Sequence, residues 1–263
     1  MSILSSTKWD VPWGGKVLAV GFLVWIFLFL GIGLVVAPAL ASYFHLNFAD
    51  AGGPADDKAY FLLLDQTCEL VAGLGLIWVI TRPYSPLPKD LFKISIEKPF
   101  NKRDGWLLWG LIGIASGFVG VGVTAYLLSL LKSDGPQSMG TADAVVSILS
   151  KDPKVFLSLF TVTSIMAPLL EEVIFRGFLL TTLTKWLPAP TAAFVSAGIF
   201  GAAHLTSRDF AQLTALGVVL GLTYTRTKNL STPILIHSFW NSGVLIFLEI
   251  LFLAGYDVSE LLK

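Results

Sequence analysis

Charged residues and cysteines are scarce in this chain. Only 14% of its 263 residues are charged, and 18 basic side chains balance 18 acidic ones. A soluble globular domain carries about 25% charge, so this composition argues against an ordinary soluble fold. The zero net charge predicts no nucleic-acid partner. Cys68 is the only cysteine, which excludes an internal disulfide.

Long apolar runs make up much of the remaining sequence. Hydrophobic residues account for 54% of the chain, and the mean hydropathy is +0.74. A spanning helix needs ~20 apolar residues, and seven segments of the sequence meet this need. If Pro168 breaks the fourth segment into two helices, there are eight. The sequence therefore predicts an all-α fold, a polytopic membrane helical bundle of about seven or eight transmembrane helices, in one membrane domain over residues 1–263. The predicted spans are 16–41, 59–81, 105–131, 154–186, 189–206, 209–227 and 231–255.

The polar segments predict how the chain meets the membrane surface. The first apolar run is longer than a signal-peptide core and no small-residue cleavage site ends it, so we expect it to be retained. Trp9 and Trp13, just before it, suit a membrane interface. A short interfacial helix is predicted for residues 139–151. The connector 82–104 holds the densest cluster of lysine and arginine, six residues, and is therefore predicted to face the cytoplasm or its equivalent.

Two adjacent carboxylates and an arginine interrupt the fourth apolar run. Glu171, Glu172 and Arg176 lie within six residues. A charged side chain at the bilayer centre costs roughly 3 kcal/mol on insertion scales, and such residues usually mark a functional site. Glu172 and Arg176 are four residues apart, so they share a helix face and are predicted to form a structural ion pair. Glu171 points about 100° away and is predicted to face a cavity.

Polar groups on two later apolar runs are the candidate partners of Glu171. His204 ends a run of small residues that allow close helix approach, and His237 and Asn241 lie four residues apart on the last run. A carboxylate with an imidazole suits the activation of water, and a second imidazole with an amide suits a developing oxyanion. A lone membrane histidine is more often a helix–helix hydrogen-bond partner, but the combination on three runs favours a shared polar site.

These motifs resemble those of the CAAX-protease and bacteriocin-processing family of intramembrane proteases. The matching pieces are Glu171-Glu172-x-x-x-Arg176, Phe200-x-x-x-His204 and His237-x-x-x-Asn241, within a motif core of about residues 155–255. The resemblance implies a helical bundle with its site inside the membrane. It further implies a glutamic-type endopeptidase in which Glu171 and His204 activate water while His237 and Asn241 line the oxyanion site.

A narrower likeness is to the thylakoid branch of this family in plants, algae and cyanobacteria. It is carried by residues 183–188, 203–206 and 236–243, with 255–257 and 260–262 after them. The plant members are the "balance of chlorophyll metabolism" proteins. This likeness implies a non-proteolytic scaffold or assembly factor for chlorophyll metabolism or photosynthetic complexes, with a membrane protein complex as partner. Protease and scaffold, in the plasma or thylakoid membrane, are the two alternatives.

No cofactor is predicted. Two histidines, two glutamates and an asparagine could ligate zinc, but no H-E-x-x-H motif is present and the groups lie on different segments. A metal site is therefore the less favoured alternative. The predicted partners are membrane lipids and a peptide or protein substrate that the sequence does not identify.

Overall fold

The computed structural model describes residues 8–50, 52–131 and 140–261. All regular secondary structure in these residues is helical, which confirms the predicted all-α class. The helices are α1 Gly15–Tyr43, α2 Ala55–Tyr84, α3 Trp106–Leu130, α4 Thr141–Val146, α5 Pro153–Leu183, α6 Ala189–Ala203, α7 Phe210–Thr227, α8 Ser231–Leu253 and α9 Val258–Leu261.

Five helices of the described residues, α1, α2, α3, α5 and α8, are long and apolar enough to cross a membrane. They correspond to five of the seven predicted spans. The other two predicted spans form α6 and α7. Helix α6 has 15 residues, about 22 Å at ~1.5 Å per residue, which is shorter than a ~30 Å hydrocarbon core. Helix α7 has 18 residues but includes Gln212 and Arg226 near its ends.

Large apolar side chains are exposed along α1, α2 and α3. Phe27, Val71 and Val119 are each more than half exposed. A soluble monomer rarely exposes apolar surface on this scale, whereas a bilayer provides an apolar solvent for it. The exposed side chains and the helix lengths together identify an integral membrane protein.

The chain divides into two compact units, each assembled from three stretches of sequence. The first contains Met1–Leu18, Pro83–Thr141 and Glu171–His237, and the second contains Ala19–Arg82, Ala142–Leu170 and Ser238–Lys263. The predicted single membrane domain stays a prediction. All candidate site residues except Asn241 belong to the first unit.

Close packing of α6 on α7 organises the first unit. A Cβ added to Gly217 would lie 3.0 Å from the Cβ of Ala197, and one added to Gly221 would lie 3.0 Å from the Cβ of Ala193. The small residues predicted to allow close approach therefore do so, because a side chain at either glycine would push the helices apart. His204 directly follows α6, so this contact also positions the imidazole.

The N-terminal segment before α1 packs onto the end of α5. Trp13 is fully buried and its Nε1 donates to Thr182 Oγ1 at 2.8 Å. Lys185 Nζ donates to the backbone oxygens of Val11 at 3.0 Å and Trp13 at 2.6 Å. Trp9 and Trp13 are both buried against protein, and both indole N–H groups have protein acceptors. Their predicted place at the membrane interface stays a prediction.

An apolar core in the second unit joins α2, α5, α8 and α9. Its buried members include Ala59, Val155, Leu245 and Val258. The predicted interfacial helix 139–151 is only partly present as α4. Ile148 and Leu149, which follow α4, are buried in this core. Met139 lies outside the described residues, as does residue 262 of the thylakoid-like segment.

Candidate active site

Helix α5 departs from regular α-helical geometry on both sides of the acidic pair. Thr161–Met166 and Val173–Leu180 are π-helical, and the α-helical segment Ala167–Glu172 lies between them. π-helical turns are rare and are frequently found at functional sites. Glu171 and Glu172 therefore end a short α-helical segment between two widened ones. The spacing of apolar residues gives no signal for this irregularity.

The predicted ion pair between Glu172 and Arg176 is present. Arg176 Nη1 donates to Glu172 Oε1 at 2.9 Å, and both side chains are fully buried. Arg176 Nη2 also donates to the Gly217 backbone oxygen at 3.1 Å. The guanidinium lies 4.5 Å from the centroid of the Phe200 ring. One arginine therefore connects α5 with both α6 and α7.

Glu172 also contacts His237, which the sequence did not predict. His237 Nδ1 lies 2.9 Å from the same Glu172 Oε1 that accepts from Arg176. An ionised carboxylate can only accept hydrogen bonds, so Nδ1 carries the proton in this contact. The carboxylate thereby sets the orientation of the ring and directs Nε2 away from Glu172.

Glu171 lies on the Nε2 side of the same imidazole. Its Oε2 is 3.7 Å from His237 Nε2, and its side chain is 24% exposed. This separation is too long for a direct hydrogen bond, and Oε2 is buried without a hydrogen-bond partner among the described residues. Glu171 Oε2 and His237 Nε2 are therefore two polar atoms close enough to bind one small polar molecule together.

His204 and His237 pack against the same aromatic ring. The Phe200 centroid is 4.8 Å from the His204 ring and 5.6 Å from the His237 ring. His204 Nδ1 lies 2.9 Å from the Phe200 backbone oxygen; a carbonyl accepts, so Nδ1 is the donor and Nε2 is left to act as an acceptor. Phe200 is fully buried. The sequence signal for this packing role of Phe200 was its position four residues before His204.

In the structure, Glu171 lies beside His237. Asn241 instead contacts Thr163. The predicted pairing of Glu171 with His204 stays a prediction. Asn241 lies one turn after His237 on α8, and its Nδ2 donates to the Thr163 backbone oxygen at 2.8 Å. Thr163 and Asn241 both belong to the second unit.

The described residues contain no group of three or more histidine, cysteine, aspartate or glutamate side chains arranged to hold a metal ion. Glu172 Oε1 is engaged by Arg176 and His237 Nδ1, so it is not available as a ligand in this arrangement. The prediction that no cofactor is required remains open to experiment.

Comparisons with known proteins match this region to one family. Residues 153–243 match the family described as Type II CAAX prenyl endopeptidase Rce1-like. The membrane-embedded CAAX protease MroQ of Staphylococcus aureus (strain USA300) is 31% identical over 184 residues, 68% of this chain and 70% of that protein. YdiL of Bacillus subtilis (strain 168), named provisionally as a membrane peptidase, is 25% identical over 224 residues, 84% of this chain and 87% of that protein.

No solved structure matches the chain. The relatives named above do not support the narrower likeness to the thylakoid branch or a role in chlorophyll metabolism. That likeness stays a prediction.

Proposed function

Because the chain belongs to the Rce1-like CAAX prenyl endopeptidase family, we propose that it hydrolyses peptide bonds within the membrane, using water activated by Glu171. The observation that carries this proposal is the position of Glu171 Oε2 and His237 Nε2, which lie 3.7 Å apart, too far for a direct hydrogen bond between them. The family name implies a prenylated protein ending in a CAAX sequence as the substrate class, and we include that class in the proposal.

Glu171 is the better general base of the two glutamates. Its side chain is partly exposed and its Oε2 has no hydrogen bond among the described residues. Glu172 Oε2 likewise has no hydrogen bond among the described residues, but the Glu172 side chain is fully buried and its Oε1 is occupied by Arg176 and His237. A general base must be within reach of the proton that it removes. Glu171 meets this condition for a water molecule that enters from the exposed side, and Glu172 does not.

In this mechanism, Glu171 takes a proton from water while the water oxygen bonds to the carbonyl carbon of the scissile peptide. The tetrahedral intermediate then expels the amine, which receives the proton. His237 orients the water through Nε2, because Glu172 holds Nδ1–H. His204 also has its Nε2 available as an acceptor, so it can take that proton from Glu171 and then donate it to the leaving amine.

The oxyanion role predicted for Asn241 stays a prediction, while this proposal assigns His237 to the water instead. The Nδ1–H of His237 is directed at Glu172, and the Asn241 amide already donates to the Thr163 carbonyl. Oxyanion stabilisation requires donors aimed at the developing charge. The contact with Thr163 uses one of the two N–H bonds of the Asn241 amide, and the second stays available as a donor.

The test is cleavage of a quenched fluorescent peptide that ends in a farnesylated CAAX sequence, by the purified full chain in lipid nanodiscs. Glu171→Gln keeps the shape and removes the base, so we expect the rate to fall by about 10²–10⁴. Adding His204→Ala should lower it little further, because groups that act as a unit are not additive. The matched control is Glu97→Gln, an exposed glutamate in the connector. Wild-type cleavage by Glu171→Gln would exclude Glu171 as the base.

The scaffold alternative predicts a different result in cells. A scaffold would retain function in Glu171→Gln and in His204→Ala, because neither change alters the fold that partners would recognise. The measurement is complementation of a null strain by each variant at matched expression. Full complementation by both variants would show that proteolysis is not the biological role. Nothing in the named relatives favours this alternative.

A further inference from the structure

Two hydrogen-bond donors on neighbouring helices of the first unit are buried without an acceptor. Arg226 lies in the last turn of α7 and Trp109 in the first turn of α3, and the guanidinium carbon of Arg226 is 4.9 Å from the centroid of the Trp109 ring. Arg226 Nε and Trp109 Nε1 are both buried, and neither donates to any described residue. Leaving a buried donor unpaired is costly, so two such donors in contact call for an explanation.

The two side chains cannot satisfy each other. An arginine and a tryptophan indole are donors only, so stacking the guanidinium on the ring leaves both N–H groups without an acceptor. Arg226 also forms no ion pair with a described residue, whereas Lys228, two residues later, pairs with Asp90 at 2.8 Å. A partner for both donors must therefore be an acceptor, and arginine binds phosphate and carboxylate groups through strong, often paired hydrogen bonds.

The position of this pair in the fold indicates a lipid phosphate. Helix α3 is long and apolar enough to cross a membrane and begins at Trp106, so its first turn lies near one end of the span. Trp106 and Trp109 both belong to that turn, and tryptophan is enriched where the apolar core of a bilayer meets the headgroups. Phospholipid phosphates lie in the headgroup layer, so a lipid can present an acceptor to both donors.

The connector 82–104 gives this end of the first unit an excess of positive charge. It contains six basic and three acidic residues. Trp106 Nε1 donates to the Ile96 oxygen at 2.9 Å, and Asn229 Nδ2, just after α7, donates to the Ser95 oxygen at 2.7 Å. These bonds hold the connector beside the helix ends that carry the pair, with Lys93 exposed. Basic segments next to a spanning helix attract anionic lipids, so the charge favours an anionic lipid over a zwitterionic one.

We propose that Arg226 and Trp109 bind the phosphate of one anionic phospholipid, while the connector supplies additional positive charge. Arg226 Nε and Trp109 Nε1 donate to the phosphate oxygens. The exposed apolar side chains that follow on α3, Leu111 and Ile112, contact the acyl chains. The site includes none of the candidate catalytic residues, so it does not depend on the proposed function.

The test is native mass spectrometry of the full chain in detergent, with equal amounts of phosphatidylglycerol and phosphatidylcholine that carry the same acyl chains. We expect the wild-type protein to retain one phosphatidylglycerol in preference to phosphatidylcholine. Arg226→Gln should weaken phosphatidylglycerol binding by about tenfold or more, the effect of one charge-assisted hydrogen bond. Trp109→Phe keeps the aromatic face and removes one donor, so its loss should be smaller. A wild-type protein without preference for phosphatidylglycerol would overturn the proposal.

Arg82 provides the matched control. Its guanidinium carbon also lies over a tryptophan, 5.0 Å from the centroid of the Trp78 ring, but the Arg82 side chain is exposed. The buried, unpaired donors of the described residues include neither of these two side chains. Arg82→Gln should therefore bind phosphatidylglycerol as the wild-type protein does. An equal loss in Arg82→Gln and Arg226→Gln would show a general effect of positive charge near the membrane, and the proposal would be wrong.

Two further measurements separate a lipid site from a free-anion site and from misfolding. Inorganic phosphate at the concentration of the lipid should not displace phosphatidylglycerol, because it has no acyl chains; displacement would identify a free-anion site and refute the lipid assignment. Phosphatidylglycerol should raise the thermal unfolding midpoint of the wild-type protein more than that of Arg226→Gln. If Arg226→Gln does not fold, Trp109→Phe decides the question, and unchanged phosphatidylglycerol binding in that variant would overturn the proposal.

Discussion

Replacing Arg176 by alanine should destabilise the protein through Glu172. The guanidinium is fully buried and donates to Glu172 Oε1 and to the Gly217 oxygen. Removing one partner of a buried ion pair costs about 3–5 kcal/mol, because the other charge is left uncompensated. Glu172 keeps its contact with His237 Nδ1, so we expect the lower end, about 3 kcal/mol.

The assay is thermal unfolding of the purified protein in detergent. A loss of about 3 kcal/mol corresponds to a fall of roughly 6–12 °C in the midpoint for a chain of this size. Adding Glu172→Gln to Arg176→Ala should recover part of the loss, because it removes the unpaired charge. The matched control is Arg103→Ala, an exposed arginine in the connector. An Arg176→Ala midpoint equal to the wild-type value would refute a stabilising role for the pair.

Three further predictions follow from the site and the connector. Glu172→Gln should lower kcat by about 10- to 100-fold with little change in KM, since it weakens the group that orients His237; an unchanged kcat in the peptide assay would contradict this. Activity should survive a zinc chelator, because the described residues offer no group of three ligands; inactivation that added zinc reverses would show a metal enzyme. In a Cys68→Ser background, Lys93→Cys should be labelled by a membrane-impermeant maleimide only from the cytoplasmic face, and labelling from the opposite face would show that the connector is inverted.

The spanning helices were predictable because length and apolar composition are local properties. Helices α1, α2, α3, α5 and α8 all lie where the apolar runs are. Helices α6 and α7 were also located correctly, although they are not among the five helices that are long and apolar enough to cross a membrane. Their apolar faces pack on each other through Gly217, Gly221 and the facing alanines. Hydropathy cannot distinguish an apolar face that meets another helix from one that meets lipid.

The π-helical segments of α5 were not predictable in the same way. They depend on which carbonyl each amide reaches, and Pro168 and the acidic pair were visible only as isolated residues. The burial of Trp9 and Trp13 was likewise missed, since amphipathic indoles suit both a membrane interface and a protein interior. Their acceptors, Asp90 O and Thr182 Oγ1, lie far along the chain.

At the candidate site, the spacing of residues along the chain was enough to predict contacts within one helix turn. The pair Glu172–Arg176 follows from a separation of four residues, and the residue types on three runs indicated one shared polar site. The partners themselves depend on how distant segments pack. His237 reaches Glu172 across 65 positions and Asn241 reaches Thr163 across 78. Sequence alone therefore indicated the candidate site residues, while folding determined which carboxylate contacts His237 Nδ1 and which lies beside Nε2, because hydrogen bonds depend on distance in space and not along the chain.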